Sequence, residues 1–153
     1  MRRYMLLSLV LTSIAVTLLA PRVGRAGKVF EQPVRFSALY IYLDSGGESL
    51  GAYQFELKTT AGSAKIVGVE GGEHTAFREA PYYDPAALAQ DRIIIAAFNT
   101  GRNLPTGRTR IATLHLQITG TAKPQYELIP MVAADAEGQG LSAEITLETG
   151  ENQ

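Results

Sequence analysis

The sequence predicts an all-β chain, an antiparallel β-sandwich of eight or nine strands of jelly-roll or Greek-key type. Three observations predict it. Apolar and polar residues alternate with a period of two in short runs, Gly, Pro, Asn and Asp cluster between those runs, and no long stretch carries the apolar period of a helix.

The first run, Val34 to Leu43, has Phe36, Ala38, Tyr40 and Tyr42 on one side and Leu39, Ile41 and Leu43 on the other, so it is expected to be covered on both faces. Asp44 to Glu48 forms a turn. Gly51 to Lys58 sets Tyr53, Phe55 and Leu57 against Gln54, Glu56 and Lys58, one dry face and one wet. Ala64 to Glu70 is a third strand, stopped by Gly71-Gly72, and a shorter run follows around Thr75 to Glu79. Asp84 and Pro85 fit the cap and first position of one short helical turn. Arg92 to Asn99 is the most apolar run and is expected to be a central strand. Leu104 to Gly107 reads as a hairpin turn into Thr109 to Thr119, where Ala112, Leu114, Leu116 and Ile118 share a face. Gln125 to Val132 and Leu141 to Glu148 complete the set. Tyr53, Phe55, Leu57, Leu114, Leu116 and Leu147 are the expected core.

The chain has 153 residues, of which 1–26 read as an export leader and 27–153 as one domain. Arg2 and Arg3 precede an uncharged stretch from Met5 to Ala20, and Gly24-Arg25-Ala26 supplies small residues before a cleavage point at Gly27. An uncleaved membrane anchor is the alternative, because Arg22, Arg25 and Lys28 follow the apolar stretch. Either way the domain is expected outside the cytoplasm: secreted, periplasmic or at the cell surface.

Removing the leader leaves 10 basic against 15 acidic residues, a net charge of about −5. That balance argues against nucleic acid, which rewards clustered Lys and Arg. With no cysteine, thiolate metal sites, disulfides and cysteine catalysis are excluded. Only His74 and His115 are available to activate a nucleophile, and no Gly-x-Ser-x-Gly elbow accompanies them. His115 falls on the polar side of its strand. His74 lies in a glycine-flanked loop with Glu70 and Glu73, short of the ligands that a metal needs. Asp135 to Gly138 has part of a calcium-loop pattern without its later bidentate acid, and reads as a turn. The carboxylates are scattered over turns and wet faces, so no acid pair stands out for glycoside hydrolysis. Neither enzymatic activity nor a cofactor is expected.

Three segments in order resemble the cohesin domain family. They are Tyr40 to Leu57, with its polar turn, Leu50-Gly51 pair and aromatic-x-aromatic strand; Ala64 to Gly72, with its glycine stop; and Arg92 to Asn99 followed by Gly107 to Ile118. The chain departs from the family where Thr59 to Ser63 replaces a customary Asp-Pro turn. The resemblance implies a non-catalytic module that docks a helical, dockerin-like protein through a sheet face containing the paired central strands. Carried over by position, this marks Arg92 to Asn99, Thr109 to Thr119 and their loop, with Asn99, Arg102, Arg108 and Arg110 as candidate partner-binding residues. The same sandwich occurs in cellulose-binding modules, so carbohydrate is the alternative ligand, with Tyr82 and Tyr83 as candidate platforms. A structural envelope protein without a discrete ligand is a third reading.

Overall fold

The computed structural model describes residues 31–150, which belong to one compact unit, Glu31–Gln153. The expected leader, 1–26, lies outside the described residues. Eight antiparallel strands form two four-stranded sheets that pack as a sandwich. The strands are β1 (Val34–Asp44), β2 (Ala52–Ala61), β3 (Ala64–Gly71), β4 (Tyr82–Tyr83), β5 (Arg92–Phe98), β6 (Arg108–Thr119), β7 (Gln125–Ala134) and β8 (Glu144–Gly150). The first sheet runs β3-β6-β1-β8 and the second β4-β5-β2-β7.

Only β4 and β5 are neighbours both in sequence and in a sheet; every other connection carries the chain from one sheet to the other. This corrects the expected pairing of the two central strands. β5 lies in the second sheet and β6 in the first, so no single face contains both, and Leu104 to Gly107 is an inter-sheet connection instead of a hairpin. That connection is tied to the β1–β2 turn: Leu50 donates from its backbone to Pro105 (2.9 Å) and Gly107 to Gly46 (2.7 Å). Two expected local structures also change. Thr75–Phe77 is a 3-10 turn where a strand run was expected, and Tyr82–Tyr83 is a two-residue strand where none was expected. The short helical turn stands as expected at Pro85–Ala87, with Asp84 Oδ1 accepting from the Ala86 amide at 2.9 Å.

The core lies between the sheets. Leu39, Ile41 and Leu43 meet Tyr53, Phe55 and Leu57 there, joined by Ile93, Ile95, Leu114 and Leu116. The apolar side chains of β1 and β2 therefore face inward on alternate residues, and the aromatic side of β1 (Phe36, Tyr40, Tyr42) faces out. Leu147 packs against this core but is only half-buried, because β8 is an edge strand.

Three bulged strand pairs decide which side chains reach the outside. Ile41 pairs with Ala112 but Tyr42 with Arg110, so Ile111 is an extra residue. Ile111 and Ala112 are both buried, and the alternation changes phase between them. Without that shift Arg108 and Arg110, on the parity of Ala112 and Leu114, would point into the core. A second bulge, where Gln54 pairs with Val132 and Phe55 with Pro130, leaves Met131 as the extra residue of β7. Both Met131 and Val132 are exposed as a result. The third, in β3, sits at Val67.

Candidate docking face

Four strands build one outer surface of the second sheet. Because Tyr53, Phe55 and Leu57 fill the core, Ala52, Gln54 and Glu56 of β2 face outward. The partners of these residues on β5 are Phe98, Ala96 and Ile94, all on the same outward parity. Tyr82 of β4 stands opposite Ala96, and Ile129, Met131 and Val132 of β7 complete the far side. Of nine exposed large apolar side chains among the described residues, six are on this one face: Tyr82 (70% exposed), Phe98 (67%), Met131 (49%), Val132 (46%), Ile129 (38%) and Ile94 (36%). Scattered exposed apolar residues need no explanation, but such a cluster on one side of a sandwich is a candidate interaction surface.

The face has relief and a polar border. Tyr82 and Phe98 are stacked, with ring planes 11° apart and centroids 6.0 Å apart. To one side of this pair a hollow of about 410 Å³ is lined by Gln54, Tyr82, Ile94 and Ala96. To the other, one of about 300 Å³ is lined by Pro81, Tyr82, Ala97 and Phe98. The small side chain of Ala96 leaves space in the first; the second opens beside the 3-10 turn residues Ala76 and Phe77, where Ala97 faces inward. Toward the end of the sheet, Arg92 makes a two-point pair with Glu56, Nε to Oε1 at 2.6 Å and Nη2 to Oε2 at 2.9 Å. The hydrogen bond from Arg92 holds the Glu56 carboxyl below the usual glutamate range. Gln54 Nε2 lies 3.4 Å from Met131 Sδ, bridging the centre of the face to β7.

The residues marked by the family resemblance separate. Asn99 is a loop-shaping residue: its Nδ2 donates to the Ala76 carbonyl (3.0 Å) and its Oδ1 accepts from the Gly101 amide (2.8 Å). Arg102 is exposed on the inter-sheet connection. Arg108 and Arg110 are on the outside of the opposite, first sheet, where each sits over a β1 ring. The Arg108 guanidinium is 3.7 Å from the Tyr42 ring centroid and that of Arg110 is 5.4 Å from Tyr40. Arg108 also pairs with Glu148 at 2.6 Å. The four candidates thus do not form one patch. Of the two aromatic candidates, Tyr82 is on the apolar face and Tyr83 turns the other way, half-buried against the core.

The residues considered for chemistry are engaged in turns or stand apart. His74 Nδ1 caps the 3-10 turn through the Ala76 amide at 3.2 Å. Glu73 Oε1 accepts from the Arg110 amide at 2.9 Å. Asp135 Oδ1 accepts from the amides of Glu137 (3.0 Å) and Gln139 (2.7 Å), so this carboxylate closes its own turn. His115 Nε2 is 3.0 Å from Glu70 Oε1 on a partly exposed strand surface. Among the described residues no group of three or more His, Cys, Asp or Glu is placed to hold a metal ion, and no helix is long and apolar enough to cross a membrane.

Ile94, Phe98, Ile129, Met131 and Val132 are not singled out by sequence pattern. The signal that was present is the unbroken apolar run of β5, which alternation reads as a strand buried on both faces. Here only one face is covered. No family model, no curated protein and no solved structure matches the chain.

Proposed function

We propose that this chain is an exported, non-catalytic binding module that docks a protein partner through the outer face of the β4-β5-β2-β7 sheet. One observation carries the reading: Tyr82, Ile94, Phe98, Ile129, Met131 and Val132 are exposed together on a regular sheet surface. Aromatic and Met side chains are favoured in the buried centres of protein interfaces, with charged groups at the rim. Here the Glu56–Arg92 pair is set into the face instead: Glu56 stands between Ile94 and Ile129, and Arg92 lies beyond them toward the end of the sheet. The partner fitted by this surface is a helix with an apolar stripe, whose side chains enter the hollows on either side of the Tyr82–Phe98 pair. This agrees with the cohesin-like resemblance in using a sheet face. It moves that face from the Arg102, Arg108 and Arg110 cluster to the second sheet, because Arg108 and Arg110 are engaged on the opposite side.

The carbohydrate reading is retained for one reason. Tyr82 and Phe98 present two exposed, nearly parallel rings on the same face, a geometry that suits a sugar ring. Affinity capture separates the two readings. The wild-type domain, Phe98→Lys with Ile129→Lys, and Tyr82→Ala with Phe98→Ala are each immobilised and exposed to a protein extract of the source organism and to insoluble polysaccharide. Protein docking predicts one specific protein captured by the wild type and lost in the Lys pair. Retention on polysaccharide, lost in the Ala pair and without a captured protein, replaces it with the sugar.

A further inference from the structure

The sandwich is closed more tightly on one side than on the other. On one side the free edge of β3 is covered by the loop after the Pro85–Ala87 turn: Ile66 donates to the Gln90 carbonyl at 3.0 Å and accepts from the Ala89 amide at 2.6 Å. β4, at the edge of the second sheet, is only two residues long. On the other side the edges β7 and β8 adjoin. β7 is protected as an edge by Pro130 and the bulge at Met131. β8 has neither. Its seven residues pair only with β1 among the described residues, in continuous register from Glu144 opposite Asp44 to Gly150 opposite Ala38.

The core is also incomplete along this seam. Inward-facing Ile145, Leu147, Leu128 and Tyr126 are half-buried, whereas their counterparts on β1, β2 and β6 are almost fully buried. Two hollows lie along the seam. One of about 740 Å³ is lined by Ile118, Tyr126, Leu147 and Thr149, and one of about 190 Å³ by Leu43, Pro130, Leu141 and Ile145.

We infer that the free edge of β8 is a second binding site, which takes an extended segment of another protein as an added antiparallel strand. Such a strand satisfies the backbone groups that β8 leaves unpaired, and every second side chain enters the hollows opposite Ile145, Leu147 and Thr149. The outward side chains of β8 set the remaining chemistry. Glu144 and Glu148 are on the outer face; Glu148 is already paired with Arg108, whereas Glu144 stands opposite Asp44, another acid. The occupant is therefore apolar at inward positions and basic at the outward position facing Glu144. A second copy of β8 is the poorer occupant. It carries no Lys or Arg to set opposite Glu144, and self-pairing centred on Thr146 sets Glu144 against Glu148 of the second copy, where like charges directly opposite destabilise a strand pair. This site borders the apolar sheet face at Met131 and Val132, which also line the smaller hollow, and its occupation is read at β8, away from that border.

The probe is the peptide acetyl-Val-Lys-Ile-Thr-Val-Lys-Thr-amide, with a control carrying Glu at the second Lys, the one that faces Glu144. Binding is followed by NMR of the labelled domain. The expected result is slowed amide exchange and shifted resonances in Glu144–Gly150, with the Glu control bound about tenfold more weakly. N-methylation of alternate peptide amides on the β8 side should abolish binding. Glu144→Lys, an exposed change, should weaken the Lys peptide and strengthen the Glu control. Shifts confined to Tyr82, Ile94 and Phe98, equal affinity for the two peptides, or absence of binding at millimolar peptide would overturn the inference. Concentration-dependent protection of β8 without peptide, accompanied by a dimer in sedimentation, would overturn the choice of occupant.

Discussion

Replacing Tyr53 by Phe removes one oxygen atom from the centre of the sandwich and leaves the packing volume almost unchanged. Tyr53 is 1% exposed, and its hydroxyl donates to the Ile111 carbonyl at 2.8 Å. Ile111 is the extra residue of the β1–β6 bulge and stands outside the register with both β1 and β3. The hydroxyl of the second sheet thus ties down the point where β6 changes phase and turns Arg108 and Arg110 outward. Tyr53→Phe deprives this buried carbonyl of its donor, a loss of about 1–3 kcal/mol. The assay is urea unfolding of wild type and variant, with the midpoint shifted and the slope unchanged. A pH series adds an independent check. Burial pushes the Tyr53 phenol well above the usual tyrosine range. A folded-state value raised above the unfolded one of about 10 means that the stabilisation is complete below that pH and declines above it. The difference between wild type and Tyr53→Phe should therefore be constant from pH 6 to 9 and shrink from pH 10 upward. A loss below about 0.5 kcal/mol, the scale of surface changes, would refute the role assigned to this hydroxyl.

Other expectations follow from particular contacts. Leu116→Ala, at a 1% exposed position, should cost about 2–5 kcal/mol, whereas Leu147→Ala on the half-covered edge should cost clearly less in the same urea series. Gly72→Ala should destabilise severely, because a Cβ there would stand 2.2 Å from the Arg110 carbonyl oxygen; thermal unfolding or loss of soluble protein reports it. Ala89→Gly should stabilise by roughly 0.5–1 kcal/mol in thermal unfolding, since Ala89 holds a left-handed φ of 65°. Arg92→Ala should let the Glu56 carboxyl titrate at a higher pH in a carbon-13 NMR series, because the Arg92 hydrogen bond is the main cause of its depression.

Much of the fold is legible where alternation is strict. Tyr53, Phe55 and Leu57 on β2 and Leu114 and Leu116 on β6 follow a period of two and are buried as that period requires. Asp84-Pro85 marks its helical turn because a cap and a fixed φ act locally. Where the outcome depends on a partner strand, sequence pattern is silent. Nothing local to Arg110-Ile111-Ala112 or Met131-Val132 announces a bulge, since the extra residue is defined only against the facing strand. The partition of β5 and β6 between sheets is equally non-local: the same short connection serves a hairpin or an inter-sheet crossing. For the candidate site, Tyr82 was visible as an aromatic in a proline-bounded segment. Ile94 and Phe98 were not, because an apolar strand face looks the same whether another layer covers it or a partner does.

The docking face is tested most directly by site-specific photo-crosslinking, with a photoreactive phenylalanine analogue placed at Phe98 or at Tyr42 on the opposite sheet. Each variant is incubated with a protein extract of the source organism and irradiated. Docking on the second sheet predicts one specific adduct from position 98 and none from position 42, with the adduct competed away by unlabelled wild-type domain but not by Phe98→Lys with Ile129→Lys. A competed adduct from position 42 alone would place the partner on the Arg108 and Arg110 side and contradict the account.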